Sequence, residues 1–124
     1  MVLAAIKQVD ELEQEVDAAP AIDHAHLARM TFGDRGLERE LLELFDRQAA
    51  ILLARMRTAD AASVAALAHT LKGSALGVGA SLVAQAAAAV EQASDAAERS
   101  PAVDRLAAAV TAARACIATS LHAL

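Results

Sequence analysis

Hydrophobic side chains recur at helical intervals along most of this chain. Across residues 2–17 the apolar positions are Ile6, Val9, Leu12 and Val16, with glutamates between them. The longest regular pattern covers residues 35–57, and its predicted inner face carries Leu37, Leu41, Leu44, Phe45, Gln48, Leu52 and Met56. Spacings of three and four residues are typical of amphipathic helices, and no stretch alternates apolar and polar residues as a strand would. The pattern therefore predicts an all-α protein.

Capping and breaking residues divide this pattern into separate helices. Three aspartates are predicted to be N-caps: Asp23 for a short helix over 24–31, Asp34 for 35–57 and Asp60 for a helix to about Leu76. Gly33 is expected to stop the short helix, and Gly77 and Gly79 are expected to break the helix after Leu76. Ser100 and Pro101 are expected to begin the last helix, because proline fits a first helical turn.

Four long helices follow residue 34, and the links between them are short. Their predicted inner faces carry Val64, Leu67, Ala68, Leu71 and Ala75 in the second, Leu82, Ala86, Val90 and Ala93 in the third (80–97), and Val103, Leu106, Val110, Ala113, Ile117 and Leu121 in the fourth. Short links favour antiparallel neighbours. We therefore expect an up-and-down antiparallel four-helix bundle over 22–124, preceded by a short helix and by an additional N-terminal helix in an extension over 1–21.

The sequence leaves open what the N-terminal helix does. Residues 2–17 could pack on the bundle, cover its open end or mediate self-association, and residues 18–22 are the one soft boundary. A monomer is the simpler expectation.

Composition excludes several classes of partner. The net charge is −5 and no block of Lys or Arg is present, so nucleic-acid binding is disfavoured. The apolar start of the chain is too short to span a membrane. Cys116 is the single cysteine, which suits a reducing, cytoplasmic setting. His24 and His26 are two residues apart and do not share a helix face, so no metal site is predicted.

His69 carries the strongest indication of chemistry. On a helical wheel it lies roughly 140° from the centre of the apolar stripe, so it should face solvent. Lys72 follows one turn later, where it could neutralise part of a phosphoryl group's charge. Gly73 weakens its helix by about 1 kcal/mol relative to alanine, which suggests a need for space. A small, partly apolar rim surrounds this face and is predicted to dock a partner: Ala62, Ala65, Ala66 and Leu76.

The stretch from Ala68 to Ala75, Ala-His-Thr-Leu-Lys-Gly-Ser-Ala, followed by Gly79-Ala80, resembles the signature of histidine-containing phosphotransfer (HPt) domains. The similarity extends over about 22–123, including Ile22-Asp23, Gly33-Asp34 and the Glu-Leu-Leu-Glu-Leu-Phe run from Glu40 to Phe45. Residues 2–17 resemble only a family-variable extension.

The resemblance implies a role in a two-component phosphorelay. His69 would accept a phosphoryl group from the phospho-aspartate of a receiver domain and pass it to another receiver. The partners implied are response-regulator receiver domains and a (hybrid) histidine kinase. The chain would bind no cofactor and have no kinase activity of its own, and Mg²⁺ would sit on the receiver. Counting back from the turn near residues 77–80 places Glu91 level with His69, as the group that orients the imidazole; Gln92 and Gln85 are weaker candidates.

Two other interpretations remain at this stage. The chain could be a non-catalytic helical adaptor that binds a partner through Ala-rich faces, with His69 incidental. It could also be the phosphoacceptor part of a larger kinase, although it contains no Gly-rich nucleotide loop and is expected to be free-standing.

Overall fold

The computed structural model describes residues 20–123, which contain five helices and no strand. The helices are α1 (His24–Met30), α2 (Arg35–Met56), α3 (Ala61–Val78), α4 (Ser81–Gln92) and α5 (Ala96–Ala123). The predicted N-terminal helix over 2–17 lies outside the described residues.

Helices α2 to α5 form the bundle. Each packs against the next one along the chain, and α5 returns to pack against α2, while α1 contacts α3. Short links between sequential helices make neighbours antiparallel. The core takes side chains from all five helices, with Leu27, Leu42, Leu71, Val83 and Leu106 among the most deeply buried. The prediction of an all-α four-helix bundle with a short preceding helix is confirmed.

The three predicted N-caps are observed. The carboxylates of Asp23, Asp34 and Asp60 accept hydrogen bonds from the backbone N–H groups of His26 (3.0 Å), Leu37 (3.0 Å) and Ser63 (2.8 Å). Each bond satisfies a donor that the first helical turn leaves without an intrahelical partner.

The end of α3 differs from its prediction. The helix passes through Gly77 without a break and ends at Val78. Gly79, with φ +79°, takes the left-handed conformation. Its N–H donates to the Leu76 carbonyl (3.4 Å), and the Ala80 N–H donates to the Ala75 carbonyl (2.8 Å), so the last carbonyls are satisfied. The expectation that Gly77 breaks the helix was therefore wrong, because Gly79 alone supplies the stop.

The boundary between α4 and α5 also differs. Helix α4 ends at Gln92 rather than near residue 97, and α5 begins at Ala96 rather than at Pro101. The Asp95 carboxylate accepts from the Glu98 N–H (2.8 Å), and the Glu98 carboxylate accepts from the Ser94 N–H (2.8 Å). This reciprocal capping starts α5 five residues before the proline. Pro101 then lies inside the helix, so Ser100 and Pro101 are not its start.

On two helices the buried face differs from the predicted one by a rotation about the helix axis. On α2 the buried stripe is Leu42, Phe45, Ala49, Leu52 and Met56, while Leu37 and Leu44 are exposed. On α4 the buried residues are Val83, Ala84, Ala87 and Val90, while Leu82 and Ala86 are half-buried. Both helices carry two neighbouring rows of apolar residues at helical spacing, so periodicity could not decide which row faces the core.

Helix α5 is long and apolar enough, by length and composition, to cross a membrane. Its apolar character comes largely from alanine, and six of its side chains contribute to the bundle core. A core helix has the same length and composition, so this helix gives no support for a membrane span.

We expect Gly79→Ala to destabilise the protein. A left-handed non-glycine residue costs about 1–2 kcal/mol, and a Cβ at this position would lie 3.0 Å from the Asp23 carbonyl oxygen. Gly77→Ala is the matched control, since its Cβ would meet nothing within 4 Å and alanine favours a helix interior by about 1 kcal/mol. Urea unfolding should therefore shift in opposite directions for the two variants. A stabilising effect at Gly79 would contradict this account of the α3 end.

Candidate functional site

His69 lies midway along α3 with 70% of its side chain exposed. The helix points Val64, Ala68, Leu71 and Ala75 into the core. These positions fall on the opposite side of α3, so packing the bundle turns the imidazole outward. The side chain faces solvent, as its wheel position predicts.

Glu91 on α4 lies beside the imidazole. The Nδ1 atom of His69 is 3.1 Å from Oε2 of Glu91. A carboxylate can only accept a hydrogen bond, so Nδ1 carries the proton and the lone pair of the neutral ring is on Nε2. Within residues 20–123, Gln85 and Gln92 make no hydrogen bond to His69. Of the three predicted candidates, the α3–α4 hairpin therefore brings Glu91 to the histidine.

The same carboxylate also holds Lys72. The Nζ atom of Lys72 lies 2.8 Å from Oε1 of Glu91. At this distance the ammonium and the carboxylate form a close ion pair. The contact with Lys72, and then the one with His69, hold the pKa of the Glu91 carboxyl below its usual range, against the effect of burial. Glu91 is therefore ionised at neutral pH and links both side chains of α3.

The Lys72–Glu91 pair is the part of the site that sequence reasoning missed. The sequence predicts that Lys72 contacts an incoming phosphoryl group and that Glu91 contacts the imidazole alone. The sequence does contain a signal for this pair. Lys72 lies one helical turn closer than His69 to the α3–α4 turn, so its long side chain can reach Glu91, which is predicted to lie level with His69.

The exposed part of α3 near His69 carries several small residues and one exposed leucine. A Cβ added at Gly73 would meet nothing within 4 Å, so packing within the described residues does not require this glycine. Ala62 and Ala66 are exposed, Ala65 is half-buried and Leu76 is 57% exposed. The predicted rim therefore forms an open surface beside the histidine.

No group of three potential metal ligands occurs among residues 20–123. His24 is 3.3 Å from the Ser120 hydroxyl, and Cys116 is a half-buried thiol. Neither has the neighbours that a metal centre needs.

A family model for the Hpt domain matches residues 38–116, more than half of the chain. The matched region runs from the first turns of α2 into α5 and includes His69, Lys72 and Glu91. The chain belongs to the Hpt domain family. No curated protein and no solved structure matches it. Hpt domains are phosphotransfer intermediates of two-component phosphorelays and interact there with receiver domains and histidine kinases. The protein thus has a phosphotransfer role in two-component signalling.

Proposed function

We propose that His69 is the phosphoacceptor of this Hpt domain. It takes a phosphoryl group from the phospho-aspartate of one receiver domain and passes it to the aspartate of another. The observation that carries the proposal is the exposed imidazole with Nδ1 bonded to Glu91, which leaves Nε2 as the free nucleophile. The chain acts as an intermediate without kinase activity of its own, as a cytoplasmic monomer.

The transfer needs no proton movement on His69. The Nε2 lone pair attacks phosphorus, the bond from phosphorus to the aspartyl oxygen breaks, and aspartate leaves as a carboxylate. The ring gains positive charge in this step, and the Glu91 carboxylate on Nδ1 stabilises it. In the reverse step the second receiver's carboxylate attacks and Nε2 regains its lone pair. Mg²⁺, held by the receiver, supplies charge stabilisation on the phosphoryl oxygens.

Lys72 and the small-residue surface support this step. The Lys72 ammonium lies one helical turn from His69, where it can turn from Glu91 towards a phosphoryl group on Nε2. Gly73 leaves room for the receiver, and Ala62, Ala65, Ala66 and Leu76 form the docking rim. A small apolar rim suits a partner that must bind briefly and leave.

The experiment that tests the function is phosphotransfer from a panel of phosphorylated receiver domains to the full chain. Label on the chain should be acid-labile, as phosphohistidine is, and should return to a second receiver. The rates across the panel identify the cognate receiver. Acid-stable label, or a chain that receives label and cannot pass it on, would contradict a relay through His69.

Lys72→Ala should slow transfer about tenfold, which corresponds to about 1.4 kcal/mol of lost transition-state stabilisation. It should not abolish transfer, because the nucleophile and the receiver's metal remain. Rapid-quench measurement of label transfer is the assay. Arg105→Ala is the control, since Arg105 is an exposed cation on α5, a helix that contributes no residue to the site. Equal rates for the wild type and Lys72→Ala would show that Lys72 does not contribute to phosphoryl transfer.

A further inference from the structure

The Glu91 carboxylate is shared between two side chains of α3. Its Oε2 atom lies 3.1 Å from Nδ1 of His69, and its Oε1 atom lies 2.8 Å from Nζ of Lys72. Among residues 20–123, no other basic side chain forms an ion pair with this carboxylate. The ammonium that is available to a phosphoryl group on His69 is therefore already paired with a carboxylate before any phosphoryl group arrives.

The ion pair and the nucleophile differ in their contact with solvent. The side chains of Glu91 and Lys72 are 22% and 30% exposed, whereas that of His69 is 70% exposed. Opposite charges attract more strongly where less water surrounds them. A phosphoryl group on Nε2 stands in the exposed part of the site, so Lys72 has to leave a better-shielded carboxylate in order to bind it.

Phosphorylation changes the balance of charge in the site. Before transfer, the ionised Glu91 carboxylate and the Lys72 ammonium balance each other, and the imidazole that acts as nucleophile is neutral. A phosphoryl group is strongly anionic at neutral pH, and the ring gains one positive charge when it is attached. Two anionic groups, the carboxylate and the phosphoryl group, then face a single ammonium.

The two ring nitrogens keep these anionic groups apart. Nδ1 is held by Glu91, and the phosphoryl group is joined to Nε2, whose bond points away from Nδ1. We propose that Glu91 and the phosphoryl group on His69 compete for the ammonium of Lys72, so that Glu91 acts on phosphoryl transfer through Lys72 as well as through the imidazole. This competition requires His69 to be the phosphoacceptor and therefore rests on the proposed function.

Competition limits how much Lys72 stabilises the phosphorylated chain. A lysine without a partner would add its full attraction to the phosphoryl group. Lys72 adds only the difference between its contact with the phosphoryl group and its contact with Glu91, because one contact replaces the other. The phosphoryl group is then held less firmly on His69 and passes on readily to a second receiver. Glu91 is in this respect a positioning residue that keeps His69 a carrier in both directions.

The equilibrium partition of label between the chain and its receiver tests the competition. It is measured from both directions for the wild type, Lys72→Met, Glu91→Gln and the double variant. Contributions of the receiver cancel in this comparison, and so does the effect of Glu91 on the imidazole, because it is the same with and without Lys72. We expect Lys72→Met to lower the ratio of labelled chain to labelled receiver by a factor about three times larger in the Glu91→Gln background than in the wild type.

The Asp46–Arg114 pair is the matched control. It has the same 2.8 Å separation and joins α2 to α5, so the cycle of Asp46→Asn and Arg114→Met should show no coupling in the partition of label. An equal or smaller effect of Lys72→Met in the Glu91→Gln background would overturn the competition while leaving His69 as the phosphoacceptor. A folded wild type that takes no acid-labile label would instead overturn the phosphoacceptor and the competition together.

Carbon NMR of the Glu91 carboxyl group follows the ammonium directly. In the unphosphorylated chain, Lys72→Met should displace the Cδ resonance of Glu91, because the ion pair is lost. After phosphorylation of His69 by the small phosphodonor phosphoramidate, the same substitution should displace it by much less, since Lys72 has already moved to the phosphoryl group. The Asp46 Cγ resonance is the internal control and should not respond. An equal displacement in both states would show that Lys72 stays on Glu91, which contradicts the competition.

Discussion

Replacement of His69 by alanine should abolish phosphoryl labelling of the chain and leave its fold intact. The side chain is 70% exposed, and its removal opens no core cavity. Glu91 keeps its ion pair with Lys72, so no charge is left unpaired. Alanine is also the better helix former, by a few tenths of a kcal/mol. The free energy of unfolding should therefore stay within about 0.5 kcal/mol of wild type, while transfer falls to background.

The measurement is label transfer from the cognate phosphorylated receiver, with circular dichroism and urea unfolding on the same samples. His122→Ala is the matched control, because His122 is an exposed histidine near the end of α5 and should label as the wild type does. Acid-labile label on a folded His69→Ala chain would place the phosphoacceptor elsewhere. An unfolded variant would show that the imidazole has a structural role that its exposure does not suggest.

Local chemistry made much of the fold predictable. Asp23, Asp34 and Asp60 act on backbone donors three residues away, so their capping role depends on their immediate sequence. Whether Gly77 or Gly79 ends α3 could not be predicted in this way, because the helix ends at whichever glycine takes a positive φ. Leu42 and Leu44 show the same limit for burial. Both belong to rows with helical spacing, and the positions of α3 and α5 decide which row is covered.

The candidate site was likewise predictable in part. The outward direction of His69 follows from the apolar stripe of its own helix, so the wheel predicts it. The Glu91 contact required a count across the α3–α4 turn, and it succeeded even though the end of α4 was misplaced, because the hairpin register is set at the turn. The Lys72–Glu91 pair involves rotamers on two helices. The count across the turn places Lys72 within reach of Glu91, but only the side-chain rotamers decide that the two groups meet.

Gly73→Leu should separate stability from function more clearly than any other substitution at the site. A Cβ at this position meets nothing within 4 Å, and leucine favours a helix interior over glycine by roughly 0.5–1 kcal/mol. The variant should therefore be at least as stable as the wild type. Its side chain would stand one turn from His69, in the path of a docking receiver. We expect transfer from the receiver to fall at least tenfold, because a poorly seated donor loses the alignment that phosphoryl transfer requires.

Two further measurements, one on Gly73→Ala and one with a small phosphodonor, separate a docking defect from a disturbance of the imidazole. Alanine gives the same gain in helix stability with far less bulk, so its transfer rate should stay close to wild type. Phosphoramidate needs no docking surface, and it should label His69 in Gly73→Leu as fast as in the wild type. Slow labelling by both donors would mean that leucine disturbs the imidazole itself. Normal transfer from the receiver would mean that the partner does not dock on this face. Space for the receiver would then not explain why a helix-weakening glycine occupies position 73.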